Sequence, residues 1–181
     1  TGKILPYVTT VGIDYHTHHT YQEFTELLKN DLIDAEGLLK QVDPIIPAEK
    51  GGEELNLSVS AENFLLARQV RFNYYAVKAM EARFFLWMGG ETNKSAAYDC
   101  ATELIEAEDS DGKLLFTLGS TDNLSKSDYS FSTEHILAIY EYNLKDRAES
   151  AFTTNSSYSK AQNVLSPNLY PAGTTDIRYL G

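Results

Sequence analysis

The sequence predicts a mostly α-helical fold, in which helical hairpins form a scaffold and long irregular loops follow it. Three observations predict this. Thr20 and Glu23 have capping-box spacing and open a run with apolar residues at helical intervals. Asn73 to Met88 is apolar on nearly every side and ends at Gly89-Gly90. Beyond Ala107 the helical periodicity fades and turn-forming residues dominate.

Taken in order, Ile4 to Val11 is β-prone but interrupted by Pro6, which suggests an extended arm more than a central strand. From Tyr21 to about Leu39, the residues Phe24, Leu27, Leu28, Leu32, Ala35, Leu38 and Leu39 form a helical stripe, and Pro44 and Pro47 stop it. A polar loop follows at residues 49–54, and a helical turn or two from about Ala61 (Phe64, Leu65, Ala67) leads into Arg71. The Asn73 to Met88 helix should be buried, with Phe84, Phe85 and Trp87 in the core; Lys78, Glu81 and Arg83 exclude a membrane span. Ala76, Ala79 and Ala82 offer a strip where a neighbouring backbone can approach.

Gly89-Gly90 reads as a left-handed C-cap, with Thr92 or Asn93 capping the next helix. That helix carries Ala97, Cys100, Ala101, Leu104 and Ile105 on its apolar stripe, with Asp99, Glu103 and Glu106 outward. So short a link makes the pair antiparallel. Glu108 to Gly112 and Gly119 to Asn123 are turn-rich, and Ser125 to Ser132 is polar with two aromatics. His135 to Tyr142 alternates like a strand, yet Ser132 or Thr133 followed by Glu134 also resembles a helix start. Ser150 to Gly181 reads as irregular, with no helix of useful length.

At 181 residues the chain is long enough to bury roughly 70% of the surface its unfolded form exposes. Its 43% hydrophobic and 23% charged residues place it among ordered globules. A net charge of -11 repels phosphate backbones, so nucleic acid is not expected as a partner. One cysteine, Cys100, excludes an internal disulfide and the CxxC spacing of zinc sites, but does not separate one compartment from another. No apolar run approaches the 18 or so residues of a membrane span.

The chemistry-bearing motifs are few. His16, His18 and His19 form the most metal-like cluster, but without Cys or HExxH partners they read as exposed loop histidines, and neither metal nor cofactor is expected. GxGxxG, GxxxxGK[ST] and GxSxG are all missing, which removes phosphate cradles and the nucleophile elbow. The pairs Glu53-Glu54 and Asp109 with Asp111 sit in solvent-like loops, where neither carboxyl gains the raised pKa that glycoside hydrolysis needs. The reading is therefore non-catalytic. Tyrosine is abundant, with twelve in the chain, and Tyr129, Tyr142, Tyr158 and Tyr170 lie in or beside irregular segments. A tyrosine face can stack on a sugar ring while its hydroxyl joins the sugar's hydrogen bonds, so these four are the candidate ligand-binding residues; ordinary loop anchoring is the competing role.

Residues 71–89, Arg71-Phe72-Asn73-Tyr74-Tyr75-Ala76-Val77-Lys78-Ala79-Met80-Glu81-Ala82-Arg83-Phe84-Phe85-Leu86-Trp87-Met88-Gly89, resemble the SusD/RagB family of surface nutrient-binding lipoproteins, whose helices carry R-x-N-x-x-A-V-x-A-x-x-A-R ending at a Gly. Asn30-Asp31-Leu32-Ile33-Asp34-Ala35-Glu36 resembles the family's D-L-x-x-A helix, Ser132 to Ile136 its S-x-E-x-I segment, and Asp176-Ile177-Arg178 its D-x-R motif. The resemblance implies tetratricopeptide-like helical hairpins and a non-catalytic protein of the bacterial outer membrane, held by a lipid. It further implies that the protein caps a SusC-like TonB-dependent transporter and presents glycans or related nutrients to it. The family's lipid-bearing Cys would lie near the N-terminus and is not in this chain, and family members are much longer. Residues 1–181 are thus expected to be one partial SusD-like domain, a helical scaffold over 21–107 and a loop-rich segment over 108–181, with apolar helix faces exposed where further parts would pack. A helical adaptor that binds a protein partner on its concave face is the alternative.

Overall fold

The computed structural model describes residues 2, 5–47, 50, 68–139 and 141–152. The described elements are mostly helical. The chain divides into two compact units, Thr1–Phe116 and Thr117–Gly181.

The first unit is built on three helices, α1 (Tyr21–Val42), α2 (Tyr74–Met88) and α3 (Glu91–Ile105). At the start of α1 the Thr20 side chain accepts from the Glu23 amide while Glu23 reaches back to the Thr20 amide, as the capping box predicts. The helix runs past Leu39 to Val42 and stops before Pro44. In the arm, two two-residue strands, β1 (Leu5–Pro6) and β2 (His18–His19), pair antiparallel. Tyr7 fastens the arm to α1, its ring packing edge-on against Phe24 and its hydroxyl donating to Asp31. Burial and the Asp31 carboxylate push the Tyr7 hydroxyl pKa up to about 12.

Helix α2 is the central member. Its partners in α1 run from Met88 and Trp87 beside Tyr21 to the Tyr74 amide beside Asp43, so the two helices are antiparallel. As α2 advances from Tyr74 to Glu81, its partner in α3 retreats from Glu103 to Cys100, which makes that pair antiparallel too. Leu32, Val77 and Phe84 form the buried centre, with Leu28, Ala35, Leu39, Phe85 and Met88 packed around it. Asp43 locks the ends together. Its buried carboxylate accepts from Arg68 at 2.8 and 2.9 Å, from the Tyr74 amide at 2.9 Å and from the Ile45 amide at 3.2 Å.

Several expectations are corrected here. Helix α2 is not buried throughout: Asn73 to Lys78, Glu81 and Phe84 are enclosed, but Met80, Leu86 and Trp87 are exposed, Trp87 by 57%. Trp87 meets only the rings of Tyr21 and Phe84 among the described aromatics. Leu38 and Ile105 also face outward instead of joining their stripes, because each lies at the edge of an apolar arc that a single neighbour covers. Gly89 (φ 68°, ψ -174°) and Gly90 (φ 79°, ψ 156°) adopt an extended positive-φ conformation, not the left-handed helical one of a C-cap. Gly90 is itself the N-cap of α3, without a side-chain bond; Thr92 and Asn93 lie inside the helix, and the Asn93 amide donates back to the Gly89 carbonyl at 2.8 Å.

After α3, Glu108 and Leu114 form an isolated antiparallel bridge around a turn in which the Asp109 carboxylate accepts from the Asp111 and Lys113 amides. The second unit contains two helices that the sequence reading missed. Helix α4 (Thr121–Ser125) begins at Ser120, capped reciprocally with Asn123, and α5 (Leu144–Phe152) runs into the span expected to be irregular. Between them a single 3-10 turn, Ser132–Glu134, takes up the candidate helix start, and no strand forms among the described residues from His135 to Tyr142. The expected helical turn near Ala61 and the Asp176-Ile177-Arg178 motif lie outside the described residues.

Candidate functional site

Of the four candidate tyrosines, Tyr129 and Tyr142 are described; Tyr158 and Tyr170 lie outside the described residues. Tyr129 sits in a loop whose backbone is tied down by one carboxylate. Asp128 accepts from the Asn123 side chain at 2.9 Å, the Ser130 hydroxyl at 2.9 Å, and the Ser132 amide and hydroxyl at 2.9 and 2.8 Å. The hydrogen bonds from Asn123 and Ser132 hold its carboxyl well below the usual carboxylate range.

Asn123, buried, is the second fastening. Its side-chain carbonyl accepts from the Ser120 amide and its backbone carbonyl from the Asp128 amide at 2.9 Å. Ser127 and Phe131 take positive φ values of 60° and 52°, a conformation that non-glycine residues seldom adopt and that the surrounding bonds must hold. Gly119 passes so close beneath Phe131 that a Cβ there would lie 2.3 Å from its ring. Glu134 then accepts from the Gly119 amide at 2.6 Å, and the Thr117 amide donates to the Thr133 carbonyl at 3.0 Å.

The result is a fixed loop from which the Tyr129 ring projects, 64% exposed. Tyr142 is 84% exposed, in the turn before α5 where Glu141 accepts from the Asn143 and Leu144 amides. No hydrogen bond or ring contact joins Tyr129 to Tyr142 among the described residues, so each ring presents a separate face. Of the histidine cluster, His18 and His19 form β2 and are half-buried, with Tyr15 against His18 and Glu23 4.0 Å from His19. They are not loop residues.

The first unit also holds an ionic cluster around the buried Lys78 and Glu81. Lys78 lies 3.1 Å from Glu36, 3.0 Å from Glu81 and 3.3 Å from Glu103. Tyr74 donates to Glu103 at 2.5 Å, and Cys100 lies 3.6 Å from Glu81. Burial pulls the Lys78 pKa down, but hydrogen bonds and charge from Glu81, Glu36 and Glu103 outweigh it and hold the ammonium well above its usual range. Burial pushes the Glu81 carboxyl up against the pull of Lys78, and its Oε1 is buried without a hydrogen-bond partner among the described residues. Beside the cluster lies a cavity of about 270 Å³ lined in part by Tyr74, Tyr75, Glu103 and Glu106. Its trace in the sequence is that Lys78 and Glu81 are charges in a helix otherwise apolar on nearly all sides, while their partners Glu36 and Glu103 are distant in the chain.

No protein-family profile matches this chain, and no curated protein or solved structure matches it either.

Proposed function

We propose that this protein is a non-catalytic glycan- or nutrient-binding module of the SusD/RagB type, with tetratricopeptide-like hairpins as scaffold. On this reading it works at the outer membrane beside a TonB-dependent transporter. The observation that carries the binding role is the exposed Tyr129 ring on a loop pinned by Asp128 and Asn123. A pre-ordered aromatic face stacks on a sugar ring with little entropy to lose, and its hydroxyl remains free for the ligand's hydrogen bonds. The resembling residues fit the scaffold role: Asn73 caps α2 by accepting from the Ala76 amide at 2.8 Å, Val77 is fully buried, and Gly89 opens the link to α3.

Calorimetric titration with a panel of soluble polysaccharides tests it. Tyr129→Ala is expected to weaken binding about tenfold, the loss of one stacking contact, and Tyr142→Ala to weaken it for ligands long enough to reach both rings. Unchanged sugar affinity in both variants removes the proposed site. The adaptor reading is favoured by a different observation, an open apolar groove of about 530 Å³ lined by Leu28, Leu32, Met80, Arg83, Phe84 and Trp87. Under that reading, binding follows Trp87→Ala and ignores Tyr129→Ala.

A further inference from the structure

We propose that two copies of this chain pair by exchanging arms, the apolar tip of each arm docking into the groove between α1 and α2 of the other copy. The pairing is independent of whichever ligand the tyrosine loop takes. The groove, about 530 Å³, is walled by Leu28 and Leu32 of α1 and by Met80, Arg83, Phe84 and Trp87 of α2. Met80 and Trp87 stay exposed along it although both are large and apolar. Single exposed apolar residues are ordinary, but several lining one concave face mark a contact surface.

The arm supplies a matching tip. Between β1 and β2, Val8, Val11, Ile13 and Tyr15 are exposed, and Val11 and Ile13 stand fully clear of their own chain. Two branched aliphatic side chains held in water contribute nothing to the stability of a single copy; removed from water against Leu28, Phe84 and Trp87, they favour association. The base of the arm is already fixed by the pairing of β1 with β2 and by Tyr7 against Phe24, so docking has less chain to order.

Charge complementarity selects the occupant. Arg83 lines the groove yet makes no hydrogen bond or ion pair among the described residues, in a chain whose net charge is -11. Asp14, next to Ile13 at the arm tip, likewise makes none, and both residues are exposed. Each apolar surface thus carries one unpaired charge, of opposite sign, and docking pairs the two. An apolar segment without an acid would instead cover Arg83 and leave its charge uncompensated. The placement also allows reciprocity. Tyr21, which packs against Trp87, and Phe24, which packs against Tyr7, lie about one turn apart on α1, so the arm's root and the groove adjoin. A two-fold axis beside them lets each arm cross to the partner's groove, so that the same contact forms twice.

Sedimentation equilibrium of the full chain, run from about 1 to 300 μM in about 0.15 M sodium chloride to screen the repulsion between two acidic copies, tests this. A reversible dimer is expected. Trp87 is the chain's single tryptophan, so its emission reads the groove directly and shifts to the blue in step with the dimer fraction. Val11→Ser combined with Ile13→Ser weakens the dimer more than about tenfold. Arg83→Asp and Asp14→Arg each weaken it about tenfold, and the two together in one chain restore it, a recovery that misfolding cannot mimic. The proposal is overturned if the chain stays monomeric throughout. A monomer whose Trp87 emission responds to Ile13→Ser overturns it equally, since the arm then lies in its own groove. It is also overturned if the serine variants dimerise like the parent, or if the double charge reversal is no tighter than either single one.

Discussion

Lys78 and Glu81 show what a single buried charge asks of its neighbours. Glu81 is 2% exposed, and its cation among the described residues, Lys78, is shared with Glu36 and Glu103. Removing that cation leaves three carboxylates crowded without compensation, so Lys78→Met is expected to destabilise the first unit by about 3–5 kcal/mol in urea unfolding. The pH dependence follows from Glu81. Its folded-state pKa is raised above the ordinary 4.5, first by burial, so the group adds no penalty below that value and lowers stability as pH rises through its raised pKa. Glu81→Gln cannot ionise. The difference in urea midpoint between variant and parent should therefore shift in the variant's favour as pH climbs from 4.5, and a difference that stays flat across that range would mean Glu81 ionises as an ordinary carboxyl. Asp128 acts in the opposite sense at lower pH: its depressed pKa contributes stability above the unfolded value of 3.8, lost as pH falls through the folded one.

Among the elements, those with local instructions were legible. The Thr20 and Glu23 box, the Pro44 stop and the Asn73 cap are short-range bonds written in neighbouring residues, and α1 and α2 begin and end where these residues dictate. The Gly89-Gly90 link was legible as a break but not as a conformation. Positive φ with ψ near 180° is a region open essentially to glycine alone, so Gly89→Ala and Gly90→Ala should each cost about 1–3 kcal/mol in thermal or urea unfolding even though a Cβ at either site meets no atom within 4 Å. Substitution without loss would show that the link can relax into a left-handed cap. Helices α4 and α5 were missed for a different reason. Neither shows a long apolar stripe: α4 is held by the Ser120 and Asn123 caps, and α5 by helix-forming residues with Lys145 3.7 Å from Glu149.

For the whole molecule, the charge of -11 sets the background. Self-repulsion of this size opposes compaction, and raising ionic strength from about 0.01 to 0.15 M shortens the screening length from about 30 to 8 Å. The thermal midpoint should rise with added sodium chloride over this range. A fall would mean that surface ion pairs such as Lys50 with Glu108 outweigh the net repulsion.

The sequence by itself determined the helical class, the order of the three long helices, the starts of α1 and α2, and the antiparallel turn at Gly89-Gly90. Each follows from contacts between residues a few positions apart. It also marked Tyr129 and Tyr142 as loop aromatics, though not the Asp128 and Asn123 bonds that fix the loop beneath Tyr129. Only the tertiary structure decided which face of α2 stays open at Trp87 and which closes over Lys78. It alone gathered Glu36, Glu81 and Glu103 around one ammonium and set Tyr74 and Tyr75 in the wall of a cavity. Burial and charge pairing are properties of residues distant in the chain, and periodicity along one helix records which side is apolar but not what comes to cover it.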